Sequence, residues 1–211
     1  MATLPVRRAT PLLVISGAVL VLFIAMALDT KVVRIGAPGA SRPGVFSAAD
    51  FGKTEFPKVQ SDVEAHAVSA ATLAAAIAKD QGAAEKQYGT PAIGGAEFSV
   101  KFTGKAGKQD FGVYDVAVPG VPASVHITLQ TGPAIMGTDL RDATGKITFG
   151  QFKNQIVYQN AGSALNTQMK QSVLSKLDVG KLTGKTISVV GVFQLTDPAN
   201  WQVTPVKLSA P

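Results

Sequence analysis

The order of strand-like and helix-like stretches in the second half of the 211-residue chain constrains its fold most. Phe98, Val100 and Phe102 alternate with Ser99 and Lys101, the period of a half-buried strand. Lys105 to Lys108 (KAGK) reads as a turn, and Val113 to Val118 continues the alternation, so the two stretches form a hairpin. Pro119, Gly120 and Pro122 break the chain before Val125, Ile127 and Leu129 alternate with His126, Thr128 and Gln130. The period then changes. Leu165, Met169, Val173 and Leu177 recur every four residues within Gly162 to Val179, which predicts an amphipathic helix with Ser163 as its N-cap. Gly180 and Gly184 end that helix, Thr186 to Leu195 alternates around Gly191, and Trp201 to Leu208 supplies a last strand.

Three strands, a helix and two more strands match an oligonucleotide/oligosaccharide-binding (OB) barrel, with a helix plugging one end. Gly191 suits the tight coiling of a small barrel. A mixed α+β sandwich fits the same order almost as well. The fold class predicted is therefore α+β, mainly β: a small OB-like barrel over residues 91–211 with a helix between its late strands. Residues 61–90 form a helical segment packed on it. Within that segment, Val63, Ala67, Ala70, Leu73, Ala74 and Ile77 recur at helical spacing. Ser69 is available as an internal cap that would split the helix, and Ala83 to Tyr88 could add a further turn. Residues 31–60, with the Gly36 to Gly44 run (GAPGASRPG), read as a linker.

Residues 1–30 are a membrane anchor or a signal segment. Leu12 to Leu28 contains no charge and follows Arg7 and Arg8. At ~1.5 Å per residue it spans about 25 Å, just short of the ~30 Å hydrocarbon core. Ala25, Met26 and Ala27 offer a small-x-small exit, so cleavage after Ala27 would release a periplasmic or secreted protein. The apolar run exceeds the ~7 to 15 residues of a secretory signal, which favours an uncleaved transmembrane helix. Arg7 and Arg8 would face the cytoplasm, although Lys31 and Arg34 weaken that bias. The protein is then single-pass in the inner membrane through residues 12–28, with residues 29–211 in the periplasm.

The absence of cysteine excludes disulfides, thiol nucleophiles and thiolate metal sites. Only His66 and His126 are present, so no metal site is expected, and no cofactor motif is found. Gly52-Lys53-Thr54 and Gly184-Lys185-Thr186 fail as phosphate loops, because Ser47 and Val179 stand where the first glycine is needed. The net charge is +6, of which Arg7 and Arg8 supply two, and the lysines are scattered. That distribution argues against a nucleic-acid stripe.

The densest polar block runs from Thr138 to Asn166. Arg141 could hold a carboxylate or phosphate, with Asp142 orienting it. Asn154, Gln155, Tyr158 and Asn166 add amides beside aromatics, a combination that suits a sugar. The simpler reading is a structural network: Asp142 closes a turn, Arg141 pairs with it, and Asn154 or Gln155 satisfies buried backbone. No catalytic residue is assigned. The enzymatic alternative is a hydrolase using Asp139, Asp142 or His126, and an OB-type nucleic-acid or oligosaccharide module is the other.

Residues 129–166 (LQTGPAIMGTDLRDATGKITFGQFKNQIVYQNAGSALN), with LDVGKLTGKTISVVGVFQL and VTPVKL, resemble a bacterial family of predicted periplasmic lipoproteins of unknown function, often encoded beside sugar ABC transporters. The resemblance covers most of residues 45–208. It implies an extracytoplasmic, membrane-tethered, non-enzymatic accessory or binding protein, with ABC transporter components or a small sugar as partners. It carries over no catalytic residues. The chain departs from the lipoprotein pattern in having no cysteine to lipidate, which leaves the apolar segment as the tether.

Overall fold

A computed structural model of the protein describes residues 11–29 and 46–210, which fall into two separate units. The first contains helix α1, Pro11–Asp29. Its exposed side chains include Ile15, Leu20, Phe23 and Leu28, and the helix has no polar face. Its 19 residues span about 28 Å at ~1.5 Å per residue. Among the described residues no helix is long and apolar enough to cross a membrane. The transmembrane assignment of residues 12–28 is therefore corrected: the helix forms, but it stops slightly short of the ~30 Å hydrocarbon layer. Arg7, Arg8, Lys31, Arg34 and the Gly36 to Gly44 run lie outside the described residues.

The second unit begins with α2, Ala48–His66, capped by Ser47, whose hydroxyl accepts from Asp50 N at 3.3 Å. Residues 48–60, expected in the linker, are thus helical. Gly52 and Pro57 disguise this helix in the sequence. The glycine is required by packing, since a Cβ there would lie 2.7 Å from the Ala164 carbonyl oxygen, and Phe56, Val59 and Val63 bury the inner face. The chain then forms β1, Val68–Ser69, and Ser69 caps α3, Ala70–Lys79, accepting from Thr72 N at 3.1 Å. The sequence favours one helix through Asp80 with Ser69 only as an available internal cap; the chain instead breaks after His66 and restarts at Ala70, with Ser69 as the cap. Asp80 caps α4, Gln81–Tyr88, in the same way.

Strand β2 is Gly89–Thr90, β3 Glu97–Asp110, β4 Val113–Ala117, β5 His126–Gln130, β6 Thr186–Gln194 and β7 Asn200–Ser209. The pairings run β3 to β4, β4 to β5, β5 to β7, β7 to β6 and β6 back to β3, so the sheet returns on itself. Strand β5 lies parallel to β7, while the other pairs on this path are antiparallel. Short β1 and β2 add to β3.

Two local expectations change. Lys105 to Lys108 is no turn: it lies inside β3, whose register with β4 shifts between Ala106 and Gln109, and the hairpin reverses at Phe111 and Gly112. The helix between β5 and β6, α6, spans Gln155–Ser172 and is capped by Asn154 rather than Ser163. Leu165 and Met169 are buried as predicted, and Val173 is buried just past the helix end.

Phe98 of β3, Phe193 of β6 and Trp201 of β7 stack in the core. The Phe98–Phe193 rings are 5.6 Å apart at 18°, and Phe193–Trp201 4.6 Å apart at 14°. Gly191 sits at a register shift between β6 and β7, where a Cβ would fall 2.6 Å from the Thr204 carbonyl oxygen. Because one stack links three strands, Trp201→Ala should cost about 3–5 kcal/mol, the range for emptying a buried aromatic site. Urea unfolding should show it as a lower midpoint at unchanged slope, whereas Trp201→Phe should lose less.

Candidate functional site

Helix α5, Asp139–Asp142, places two neighbouring side chains against each other. Its turn closes on the Thr138 carbonyl, which accepts from Arg141 N at 2.8 Å and Asp142 N at 3.1 Å. The Arg141 guanidinium binds the Asp142 carboxylate with two bonds, Nε to Oδ1 and Nη2 to Oδ2, both 2.8 Å. Thr138 Oγ1 donates to Asp142 Oδ2 at 2.7 Å and accepts from Arg141 Nη2 at 3.1 Å. The guanidinium carbon lies 3.7 Å over the centre of the Tyr158 ring from α6, and the Tyr158 hydroxyl donates to Asp142 Oδ1 at 3.3 Å. Arg141 is only 8% exposed. A paired, stacked guanidinium is the form in which a buried charge is tolerated.

This pair floors a cleft of about 630 Å³. Tyr158 and Phe149 line it with rings whose centroids are 5.7 Å apart, and Gln155, Gln159 and Gln194 add amides. Phe149 and Ile93 stand exposed at its edge.

The structure therefore sorts the six predicted site residues. Arg141, Asp142, Gln155 and Tyr158 meet in the cleft. Asn154 does not line it, because its carboxamide oxygen accepts from Val157 N at 3.0 Å as the cap of α6. Asn166 is buried elsewhere, donating from Nδ2 to the Gly137 carbonyl at 3.1 Å. His126 lines a separate depression beside Val125 and Ile127.

Sequence reasoning missed Glu97, the first residue of β3. It is 1% exposed, and its Oε2 has no hydrogen-bond partner. Burial above all, then the charges of Asp139 and Asp142, raises its pKa to about 9, although Arg141 opposes them. Asp139 is pushed up to about 6, again mainly by burial, even though Thr204 Oγ1 donates to its Oδ2 at 2.9 Å. Gln130 Nε2 in turn donates to that hydroxyl at 2.9 Å, and Gln130 Oε1 accepts from Met136 N at 2.8 Å. A line of polar contacts thus runs from β5 through β7 to α5. The alternation along β3 puts Glu97 on the same face as Ser99 and Lys101, so nothing in the sequence signals its burial. At neutral pH, Glu97 is protonated, while Asp139 is mostly ionised.

The chain matches, over residues 18–209, the family described as predicted periplasmic lipoprotein (DUF2291). The match spans most of its length, and the chain belongs to this family. Its fold is similar to a crystal structure of an OB-fold protein from Thermotoga maritima, with a TM-score of 0.63 and 16% identity, covering 79% of this chain and 99% of that one. No curated protein matches. The mixed α+β architecture with an OB-type neighbour agrees with the order of strands and helix read from the sequence.

Raised carboxyl pKa values favour the folded state where those groups are protonated. The stability supplied by neutral Glu97 is fully present below its unfolded pKa near 4.5 and is lost as pH rises toward about 9. Asp139 adds the same trend between about 4 and about 6. Glu97→Gln keeps the shape without the titration. Thermal unfolding from neutral pH to about 9, above the range in which Asp139 titrates, should show the parent losing stability with rising pH, on the order of 1 kcal/mol per pH unit, and the variant holding nearly flat.

Proposed function

We propose that this member of the predicted periplasmic lipoprotein family is a non-enzymatic binding or accessory protein, held at the inner membrane by α1. Its cleft takes a small uncharged polyhydroxyl ligand, in the manner of a sugar-uptake accessory working with an ABC transporter. The observation that carries this reading is the closed Arg141–Asp142 pair beneath an open aromatic and amide rim.

The guanidinium is already neutralised by two bonds and by its stack on Tyr158. A phosphate would have to displace Asp142 and strand a buried carboxylate, which is costly. Hydroxyl groups need no such exchange. They can exchange hydrogen bonds with Gln155 and Gln159, while an apolar sugar face packs against Phe149. A hydrolase acting through Asp139, Asp142 and His126 has less support, because His126 lines another depression and Asp142 is fully engaged.

The tether reading draws on the exposed apolar surface of α1 and on the absence of a cysteine for thioether lipidation. A helix apolar on all sides belongs in a core or in lipid.

Titration of the purified full chain with a panel of neutral sugars and sugar phosphates tests the cleft. A neutral sugar should raise the unfolding temperature by mass action, and a sugar phosphate should not. Phe149→Ala should weaken that binding about tenfold, roughly 1.4 kcal/mol, while leaving the ligand-free unfolding temperature close to the parent's. No shift with any sugar overturns the ligand assignment. Alkaline carbonate extraction checks the tether separately: the protein should stay with the membrane pellet, and release into the supernatant would refute it.

A further inference from the structure

The β3–β4 hairpin reverses in two residues, Phe111 and Gly112, since Asp110 pairs with Val113. Both have positive φ, 45° and 84°. That is the requirement of a type I′ turn, whose first central position is normally filled by Asn, Asp or Gly. Phe111 is the only non-glycine residue with positive φ among the described residues, and a bulky side chain there is strained. Its ring offsets none of that strain by packing, since Phe111 is 91% exposed.

The turn is also held firmly. The Gly112 carbonyl accepts from both Thr131 N at 2.7 Å and Thr131 Oγ1 at 2.8 Å. A Cβ on Gly112 would fall 1.1 Å from the Gly132 carbonyl oxygen, so the hairpin tip is pressed onto the loop that follows β5. That loop exposes Pro133, Ala134 and Met136. Lys170 donates from Nζ to the Pro133 carbonyl, and exposed Lys108 lies three residues before Phe111. Asp110 is the acid adjoining the tip, and Lys105 and Lys185 stand exposed where the base of the hairpin meets β6.

Strain of this kind persists where something outside the fold uses it. We propose that the Phe111–Gly112 turn, together with Pro133 and Ala134, is a second membrane-contact point, inserting its aromatic ring into the interfacial layer of a bilayer that contains anionic lipid. An aromatic ring suits the depth of the headgroup boundary, and Lys108 near the tip reaches the phosphates beside it on a flexible stem, whereas Lys105 and Lys185 stand ~20 Å back along the hairpin. This inference rests on the α1 tether, which confines the domain to the membrane surface. The resulting effective concentration lets one ring and the lysine beside it suffice. It is independent of what occupies the cleft.

Full-length protein carrying Phe111→Trp, reconstituted into phosphatidylethanolamine–phosphatidylglycerol vesicles, provides the test. Relative to the parent, whose single tryptophan is the buried Trp201, the added indole emission should be blue-shifted and quenched by brominated acyl chains. The quenching should weaken in phosphatidylcholine vesicles. If the protein fails to incorporate into vesicles at all, the tether reading falls and this inference falls with it. If it incorporates but the indole remains unquenched with a water-exposed spectrum, this inference alone is overturned. Equal quenching in both vesicle types overturns the role of Lys108. Phe111→Asn provides a second check without lipid: it should raise the unfolding temperature by about 2–4 °C by relieving the turn. A decrease would give the ring a folding role and overturn the proposal.

Discussion

Strand β3 is the constraint on which the rest of the domain depends, because it is hydrogen-bonded to four other strands. Along its first part it pairs with β6, along its second with β4, while β1 and β2 also add to it near its start. The change of partner occurs at Gly104 and Lys105, the latter paired with both Thr186 and Ala117. A Cβ at Gly104 would lie 2.6 Å from the Ala117 carbonyl oxygen, so the strand can pass between its neighbours only without a side chain there. The two ends of β3 then carry different features. Glu97 at one end joins the carboxyl cluster beneath the cleft, and Phe111 follows the other.

The architecture was legible where burial repeats with a fixed period. Alternation along β3, β5 and β6 and the four-residue spacing of Leu165 and Met169 report which face meets the core, and the order of elements followed. Boundaries were less legible, because they depend on tertiary contacts. The Lys105 to Lys108 stretch looks like a turn, yet a register shift absorbs it into a strand. The true reversal carries a phenylalanine where turn chemistry leads one to look for Asn or Gly. Helix α2 is hidden by Gly52, a residue that lowers helix propensity but is the one that fits against α6.

For the candidate site, residue type proved informative and position less so. Arg141, Asp142 and Tyr158 form one stacked unit because a helical turn and α6 converge on it. Asn154 and Asn166 belong to the same polar block, but one caps a helix and the other ties down a loop. An amide serves a ligand or a backbone group with the same chemistry, so only geometry separates the two uses. Glu97 escaped notice because its burial comes from both sides of the sheet start, where neighbours far along the chain cover it.

The parallel pairing of β5 with β7 has a consequence for how the protein is made. Strand β7 bridges β5 and β6, so the circuit of strands stays open until Asn200–Ser209 is available. Its partners on β5 were synthesised some seventy residues earlier, and contacts of that separation form slowly. The circuit of strands therefore closes only after the last strand of the chain has been made, which puts the final step of folding after the end of synthesis.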